Sequence, residues 1–327
     1  MTRFASGDAD RTGVSIRLPG LGGLAVAGPA CRATKSITDA SASAASAAVN
    51  ALPGSGLEPP DPIPNTRRDS NRGLPRRRRL VWQTGRVPGS RSYDRAPGDL
   101  RPVAIEPGFV ATADGSALIA VGETKVICTA SVSPSVPRWL EGKGRGWVTA
   151  EYAMLPASTG DRKARDISRG RQDGRSVEIQ RLIGRSLRVV VDFAALGERS
   201  VYVDCDVLQA DGGTRCAAIT GGYVALRLAL GKLLEAGELD ALPLNGSVAA
   251  VSVGVVDGGA LCDLDYSEDV GAEVDANVVM TGEGGLVEVQ ATAERTPLSR
   301  ASLDELLELA SAGIARLREA QELAVAT

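Results

Sequence analysis

Four consecutive residues, Gly212, Gly213, Thr214 and Arg215, stand between an alternating apolar stretch and a long apolar one. Such a strand-to-helix junction leaves unpaired amides and the positive end of a helix dipole, which attract phosphate. The two glycines let the backbone approach an anion closely. Thr214 adds a hydroxyl, and Arg215 adds charge-assisted donors. The spacing GxxxxGK[ST] is absent, so the junction is not a Walker A loop. A tight turn with an ordinary N-cap would look the same over four residues, so the junction needs support from elsewhere in the chain.

Support comes from charge. Residues 162–188 hold nine basic groups: Arg162, Lys163, Arg165, Arg169, Arg171, Arg175, Arg181, Arg185 and Arg188. The chain carries a net −3, but residues 67–101 alone carry 11 arginines against three aspartates, so the body that follows is strongly acidic. Within that body the 162–188 stretch is the concentrated basic patch, and it suits a phosphodiester backbone. Arg175 lies just ahead of the helix expected from residue 178 and is the better candidate for a ligand contact. Arg181, Arg185 and Arg188 recur every three or four residues on one helix face, where solvation or ion pairing explains them.

A third cluster is acidic. Glu268, Asp269, Glu273 and Asp275 fall within eight residues, with no histidine or thiolate among them, and suit a hard oxygen-preferring cation, Mg²⁺ above all. An exposed acidic loop would read the same way. The chain has no histidine at all, which excludes Ser-His-Asp and Cys-His catalysis and His-ligated zinc. It has only 3 Phe, 3 Trp and 5 Tyr, too few for a module that stacks successive bases on aromatic platforms. An anion cradle, an arginine patch and a carboxylate pair are the parts phosphoryl transfer requires, and none needs histidine.

The elements that must position these groups follow from periodicity. Residues 116–121, 125–132 and 145–150 read as strands. Residues 178–193 carry apolar side chains at Ile179, Leu182, Ile183 and Leu187, the stripe of an amphipathic helix. Residues 200–209 alternate, with Val201, Val203, Cys205 and Val207 on one face, and a helix is expected from about 215 to 238. A second round follows: hairpins over 247–256 with 260–266 and over 277–281 with 285–292. A final helix is expected to open on Ser302, with Glu305 completing a capping box. The pattern is a mixed α/β (α+β) fold with two sheet-plus-helix rounds.

Residues 1–98 differ in character. They hold most of the 17 prolines, an Ala/Ser stretch and the Arg76–Arg79 run, with no sustained period, so a disordered extension is expected. The arginine run reads either as a solvated tail or as an RNA-attracting arm. Residues 18–30 are broken by prolines and glycines and do not read as a signal sequence. No run of 18 apolar residues stands out as a membrane span. The five cysteines show no CxxC spacing, which suits reduced thiols and a cytoplasmic setting.

Six segments together resemble bacterial ribonuclease PH: LRPV at 100–103, GETKV at 122–126, GWVTAEY at 146–152, EIQRLIGR at 178–185, DCDVLQADGGTR at 204–215 and VEVQATAE at 287–294. The resemblance runs colinearly over about residues 99–320. It implies a ribosomal-protein-S5-domain-2-like fold, with a first half over 99–240 and a second over 241–327. It implies a phosphate-dependent 3′→5′ exoribonuclease that trims tRNA precursors, releases nucleoside diphosphates and runs in reverse as a nucleotidyltransferase. By position, Arg175, Gly213, Thr214 and Arg215 match the phosphate site, with inorganic phosphate as co-substrate. Asp269 and Asp275 match the catalytic aspartates associated with Mg²⁺, and Arg162, Arg165, Arg169 and Arg171 fall in the loop that guides RNA. A homohexamer, a trimer of dimers, is the implied assembly. An inactive RNA-binding ring subunit is the alternative, typified by loss of the arginine or the aspartates. The chain departs from the family pattern in its extension, in the lead-in SYDRAPG at 92–98, and in LPASTGD at 155–161.

Overall fold

The computed structural model describes residues 91–326 apart from 166, 167, 169 and 295. The expected disorder of residues 1–90, together with Cys31 and the Arg76–Arg79 run, lies outside the described residues. After a 3₁₀ turn at Ser92–Asp94, the chain forms β1 (Val103–Pro107), β2 (Gly115–Val121), β3 (Thr124–Ser133) and β4 (Trp147–Met154). It then forms helices α1 (Gly174–Val189) and α2 (Phe193–Leu196), strand β5 (Ser200–Gln209) and helix α3 (Thr214–Glu235). These strands make a five-stranded sheet in the order β1-β2-β3-β5-β4, antiparallel except for the parallel β4–β5 pair. A parallel pair needs a long crossover, and α1 with α2 supplies it.

The second round is β6 (Val248–Val256), β7 (Gly259–Cys262), α4 (Tyr266–Gly271), β8 (Val274–Thr281), β9 (Leu286–Ala293) and α5 (Arg300–Val325). Its sheet is fully antiparallel in the order β7-β6-β8-β9. The β6–β7 hairpin turns on Asp257 and Gly258, both with positive φ (50° and 74°), as a tight two-residue hairpin requires.

Patterning accounts for the packing. Ile179, Leu182, Ile183 and Leu187 are all buried on α1, as their spacing predicts. On β5, Val201, Val203, Cys205 and Val207 are buried while Tyr202 faces out. Helix α3 has no such one-sided stripe, because it packs on β2 and β3 of the first sheet and on β6 of the second. A helix apolar all round is a buried one. By length and composition α3 could cross a membrane, against the expectation of no such segment, yet two thirds of its most apolar window (67%) is buried inside the protein. Gly221 sets its distance from the sheet: a Cβ there would meet Ile119 at 2.7 Å and the Cys128 sulfur at 3.0 Å. The cysteines Cys128, Cys205, Cys216 and Cys262 are buried free thiols.

Three expectations are corrected. Helix α5 opens on Ser299, whose hydroxyl accepts from the Ser302 amide at 3.0 Å, so Ser302 lies inside the first turn and the Ser302–Glu305 capping box does not form. Helix α1 starts at Gly174, which puts Arg175 within its first turn rather than ahead of it. The acidic stretch is helix α4 followed by strand β8, not a loop.

Candidate active site

At the end of β5 the chain makes a left-handed double-glycine turn, Gly212 at φ 77° and Gly213 at φ 66°. Only glycine adopts this backbone freely. Gly212 has a second reason to lack a side chain. A Cβ there would sit 2.6 Å from the Leu264 carbonyl oxygen and 2.9 Å from the Tyr266 nitrogen. The Thr124 hydroxyl braces the turn, accepting from the Asp211 amide (2.9 Å) and donating to the Gly212 carbonyl (2.7 Å).

Beneath the turn lies Arg101, 2% exposed. Its guanidinium donates to both carboxylate oxygens of Asp263 at 2.9 and 2.7 Å and to the Asp211 carbonyl. Its backbone amide adds a third bond to Asp263, at 2.7 Å. The loop is thus held from below by a buried ion pair joining the start of the fold to the β7–α4 connection.

Helix α3 starts from Gly213 with no side chain capping its first turn. Its leading amides, Thr214 and Arg215 face the same end of the fold. The Tyr152 hydroxyl on β4 bonds the buried Thr214 hydroxyl at 2.9 Å. With Tyr152 as donor, the Thr214 hydrogen is free for another acceptor. Arg215 is fixed across the two rounds: it donates to Gln290 of β9 at 3.0 Å and pairs with Glu178 of α1 at 3.6 Å. Gln290 in turn donates to Glu178 and Glu288, each at 3.1 Å.

Asp269, on α4, and Asp275, on β8, complete the cluster. Desolvation by the surrounding protein pushes both carboxyls above the ordinary aspartate range. The neighbouring charge of Asp269 pushes Asp275 further, while Arg175 and Arg215 pull both back down. Two arginines and two carboxylates from four elements therefore act on one another. Two like charges forced together lower stability while both are ionised. A carboxyl whose value is raised by folding carries a penalty above that value, and the penalty is relieved as pH falls. Asp275→Asn is accordingly expected to raise the melting temperature at pH 7 to 8. That gain should shrink as pH falls and vanish below about pH 3, where aspartate is protonated in the unfolded chain as well. The same variant should lose activity by roughly 10²-fold or more. A melting temperature unchanged or lowered at neutral pH would contradict this account.

The remaining acidic residues do structural work. Glu268 is buried and forms a true capping box with Asp265: the Asp265 side chain accepts from the Glu268 amide at 3.0 Å, and Glu268 accepts from the Asp265 amide at 3.0 Å. Arg91 and Arg95 bind Glu268 at 2.9 and 3.2 Å, so residues 91–98, grouped with the extension in the sequence, are tied to the body. Glu273 accepts from the Gly258 amide at 2.9 Å and braces the hairpin.

Arg162, Arg165 and Arg171 are exposed on the loop before α1, and Arg169 lies outside the described residues. Beside Arg171 opens a cavity of about 810 Å³ on the first sheet, faced by Glu151, Asp204 and Asp206. Burial and the two neighbouring charges push the Asp204 carboxyl up. Three carboxylates make this cavity a poor seat for phosphate. Arg185 pairs with Glu288, and Arg188 lies 4.8 Å over the Trp147 ring and donates to the Val148 carbonyl, as the structural reading of that helix face expects. Sequence reasoning missed Tyr152, Glu178, Gln290 and the Arg101–Asp263 pair as supports. Each sits within or beside a recognisable segment, but nothing local marks whom it touches.

A double-glycine turn at a helix start, two arginines and two carboxylates across paired sheets define a class of phosphoryl-transfer protein, and comparison with known proteins places it. Residues 99–230 match the 3′ exoribonuclease family, domain 1, and residues 246–313 match domain 2 of the same family. The chain belongs to the 3′ exoribonuclease family. It is 56% identical over 227 residues to ribonuclease PH of Syntrophomonas wolfei, covering 69% of this chain and 95% of that protein. The fold is shared with rice (Oryza sativa) Rrp46 (TM-score 0.58, 19% identity, 72% of this chain and 100% of that one). It is also shared with the Archaeoglobus fulgidus exosome with RNA bound to the active site (TM-score 0.60, 23% identity, 71% and 92%).

Proposed function

We propose that this protein is a phosphate-dependent 3′→5′ exoribonuclease that trims the 3′ ends of tRNA precursors in the cytoplasm, as part of a homohexameric ring. The carrying observation is that Arg175 and Arg215 act electrostatically on both Asp269 and Asp275 beside the uncapped start of α3. Arg175, Gly213, Thr214 and Arg215 hold inorganic phosphate. A phosphate oxygen attacks the phosphorus of the terminal phosphodiester, the bond to the penultimate 3′ oxygen breaks, and a nucleoside 5′-diphosphate leaves. The departing 3′ oxygen takes a proton, and the raised carboxyls of Asp269 and Asp275 suit its supply. Addition of nucleotides from diphosphates is the same step reversed.

Among the described residues no group of three or more potential ligands could hold a metal, so a closed protein cage is not the arrangement. A pair of carboxylates completed by water and substrate phosphate is the usual habit of Mg²⁺. Asp269 and Asp275 fit that role, in which the ion would neutralise charge developing on the phosphate oxygens. Residues 99–240 supply the phosphate and RNA groups, with Arg162, Arg165, Arg169 and Arg171 guiding the strand. Residues 241–327 supply the acidic pair, and the extension is appended ahead of residues 91–98, which are tied to the body through Arg91 and Arg95.

Incubation with a 3′-extended tRNA is expected to shorten it only when phosphate is present, with nucleoside diphosphates as products. Equal shortening without phosphate, or release of monophosphates, would rule out phosphorolysis. No turnover with either co-substrate would favour an inactive RNA-binding ring subunit.

A further inference from the structure

The scarcity of aromatic residues argues against base stacking in general, yet the exposed ring of Tyr266 stands beside the site. Tyr266 is 63% exposed although it is the first residue of α4. Its backbone is fixed from two directions. The Tyr266 amide donates to Asp211 Oδ1 at 3.4 Å, and Gly212 lies so close that a Cβ there would come within 2.9 Å of the Tyr266 nitrogen. The Asp265–Glu268 capping box, itself clamped by Arg91 and Arg95, fixes the helix that carries it. One turn further on, α4 carries Asp269, and at i+4 it carries Val270, 68% exposed. Residues three and four apart share a helix face. A rigidly mounted aromatic and an exposed aliphatic side chain therefore lie along the same face as the catalytic carboxylate, next to the phosphate turn.

We propose that Tyr266 is a stacking platform for the terminal bases of the RNA 3′ end, an inference that rests on the phosphorolytic reading above. The charged groups of the site recognise phosphate and carry no sequence information. Stacking on a ring is likewise tolerant of sequence, because every base has a π-face. An enzyme that removes one nucleotide after another must hold each new terminal base in the same place whatever its identity. A ring fixed to the turn that binds the attacking phosphate does this. Val270 extends the apolar strip.

The test uses the full chain. Tyr266→Leu is expected to raise the RNA KM by roughly 10- to 100-fold, while kcat and the phosphate KM stay within about twofold. Tyr266→Phe keeps the ring and should restore wild-type values. On RNA whose last three nucleotides are abasic, wild type and Tyr266→Leu should have the same KM. Trp139→Leu, which removes a different exposed aromatic (54%), should change nothing. A second measurement does not need turnover. RNA ending in 2-aminopurine should be quenched by wild type and by Tyr266→Phe but not by Tyr266→Leu. If wild type releases no diphosphates, the phosphorolytic reading fails while the quenching still decides the stacking. An RNA KM unchanged in Tyr266→Leu, an equal loss on abasic RNA, or undiminished quenching would overturn the proposal.

Discussion

Arg215→Ala is expected to lower kcat/KM for phosphate by roughly 10²- to 10³-fold, the cost of removing one preorganised donor from a site of developing charge. Arg215 is pre-positioned by Gln290 at 3.0 Å and Glu178 at 3.6 Å. The guanidinium fork serves those partners on one side and would hold an anion on another, which a lysine cannot imitate. Truncation does more than delete a positive charge. It leaves Glu178 without its arginine partner, so a carboxylate faces the place where phosphate is proposed to bind. Adding Glu178→Gln to Arg215→Ala should therefore recover part of the loss, and Arg215→Lys should recover little. Arg175 is exposed on the first turn of α1, so Arg175→Ala should act chiefly by raising the phosphate KM. Steady-state kinetics at varied phosphate separates these cases. If Arg215→Ala keeps kcat/KM within about threefold, phosphate does not bind at the α3 start.

Which parts of this site were legible follows from how local their signals are. The Gly212–Gly213 turn could be read because left-handed backbone next to a strand end admits few residues. The α1 stripe and the alternation of β5 were legible because each element buries one face against a single neighbour. Helix α3 showed no stripe because it is covered by both sheets, a fact about the other half of the chain. The two capping boxes show the limit most clearly. Ser302 and Glu305 have the required spacing, but Ser299 lies one turn earlier and caps the helix first. The real box, Asp265 with Glu268, was hidden among carboxylates that looked like a cation site. What distinguishes Glu268 from Asp269 is its long-range partners: Arg91 and Arg95, 177 and 173 residues away, draw the Glu268 side chain into the interior. No window of sequence contains that information. Tyr266 was overlooked for a related reason, since exposure of a ring is decided by what fails to cover it.

Arg101→Ala should destabilise the protein by about 3–5 kcal/mol, because it strands a buried carboxylate. Asp263 is only 4% exposed and accepts three bonds from Arg101, one from the backbone and two from the guanidinium. Arg95 approaches Asp263 at 3.6 Å and retains part of the compensation, which places the loss toward the lower end of that range. Asp263 also sits at φ 55°, a conformation that aspartate and asparagine tolerate better than most residues. Asp263→Asn should thus keep the backbone and lose mainly the charge. The double variant Arg101→Ala with Asp263→Asn should cost less than the sum of the single changes, since with both partners neutralised no buried charge is left unpaired. Denaturant unfolding measures this coupling directly. Activity gives an independent reading, because the Arg101 Nη2 lies 3.2 Å from where a Gly213 Cβ would stand and so supports the phosphate turn from below. Arg101→Ala that remains folded should bind phosphate more weakly, although Arg101 is almost completely buried and the anion groups lie above it. Additive losses in the double variant, together with an unchanged phosphate KM in Arg101→Ala, would show that the pair neither couples nor shapes the turn.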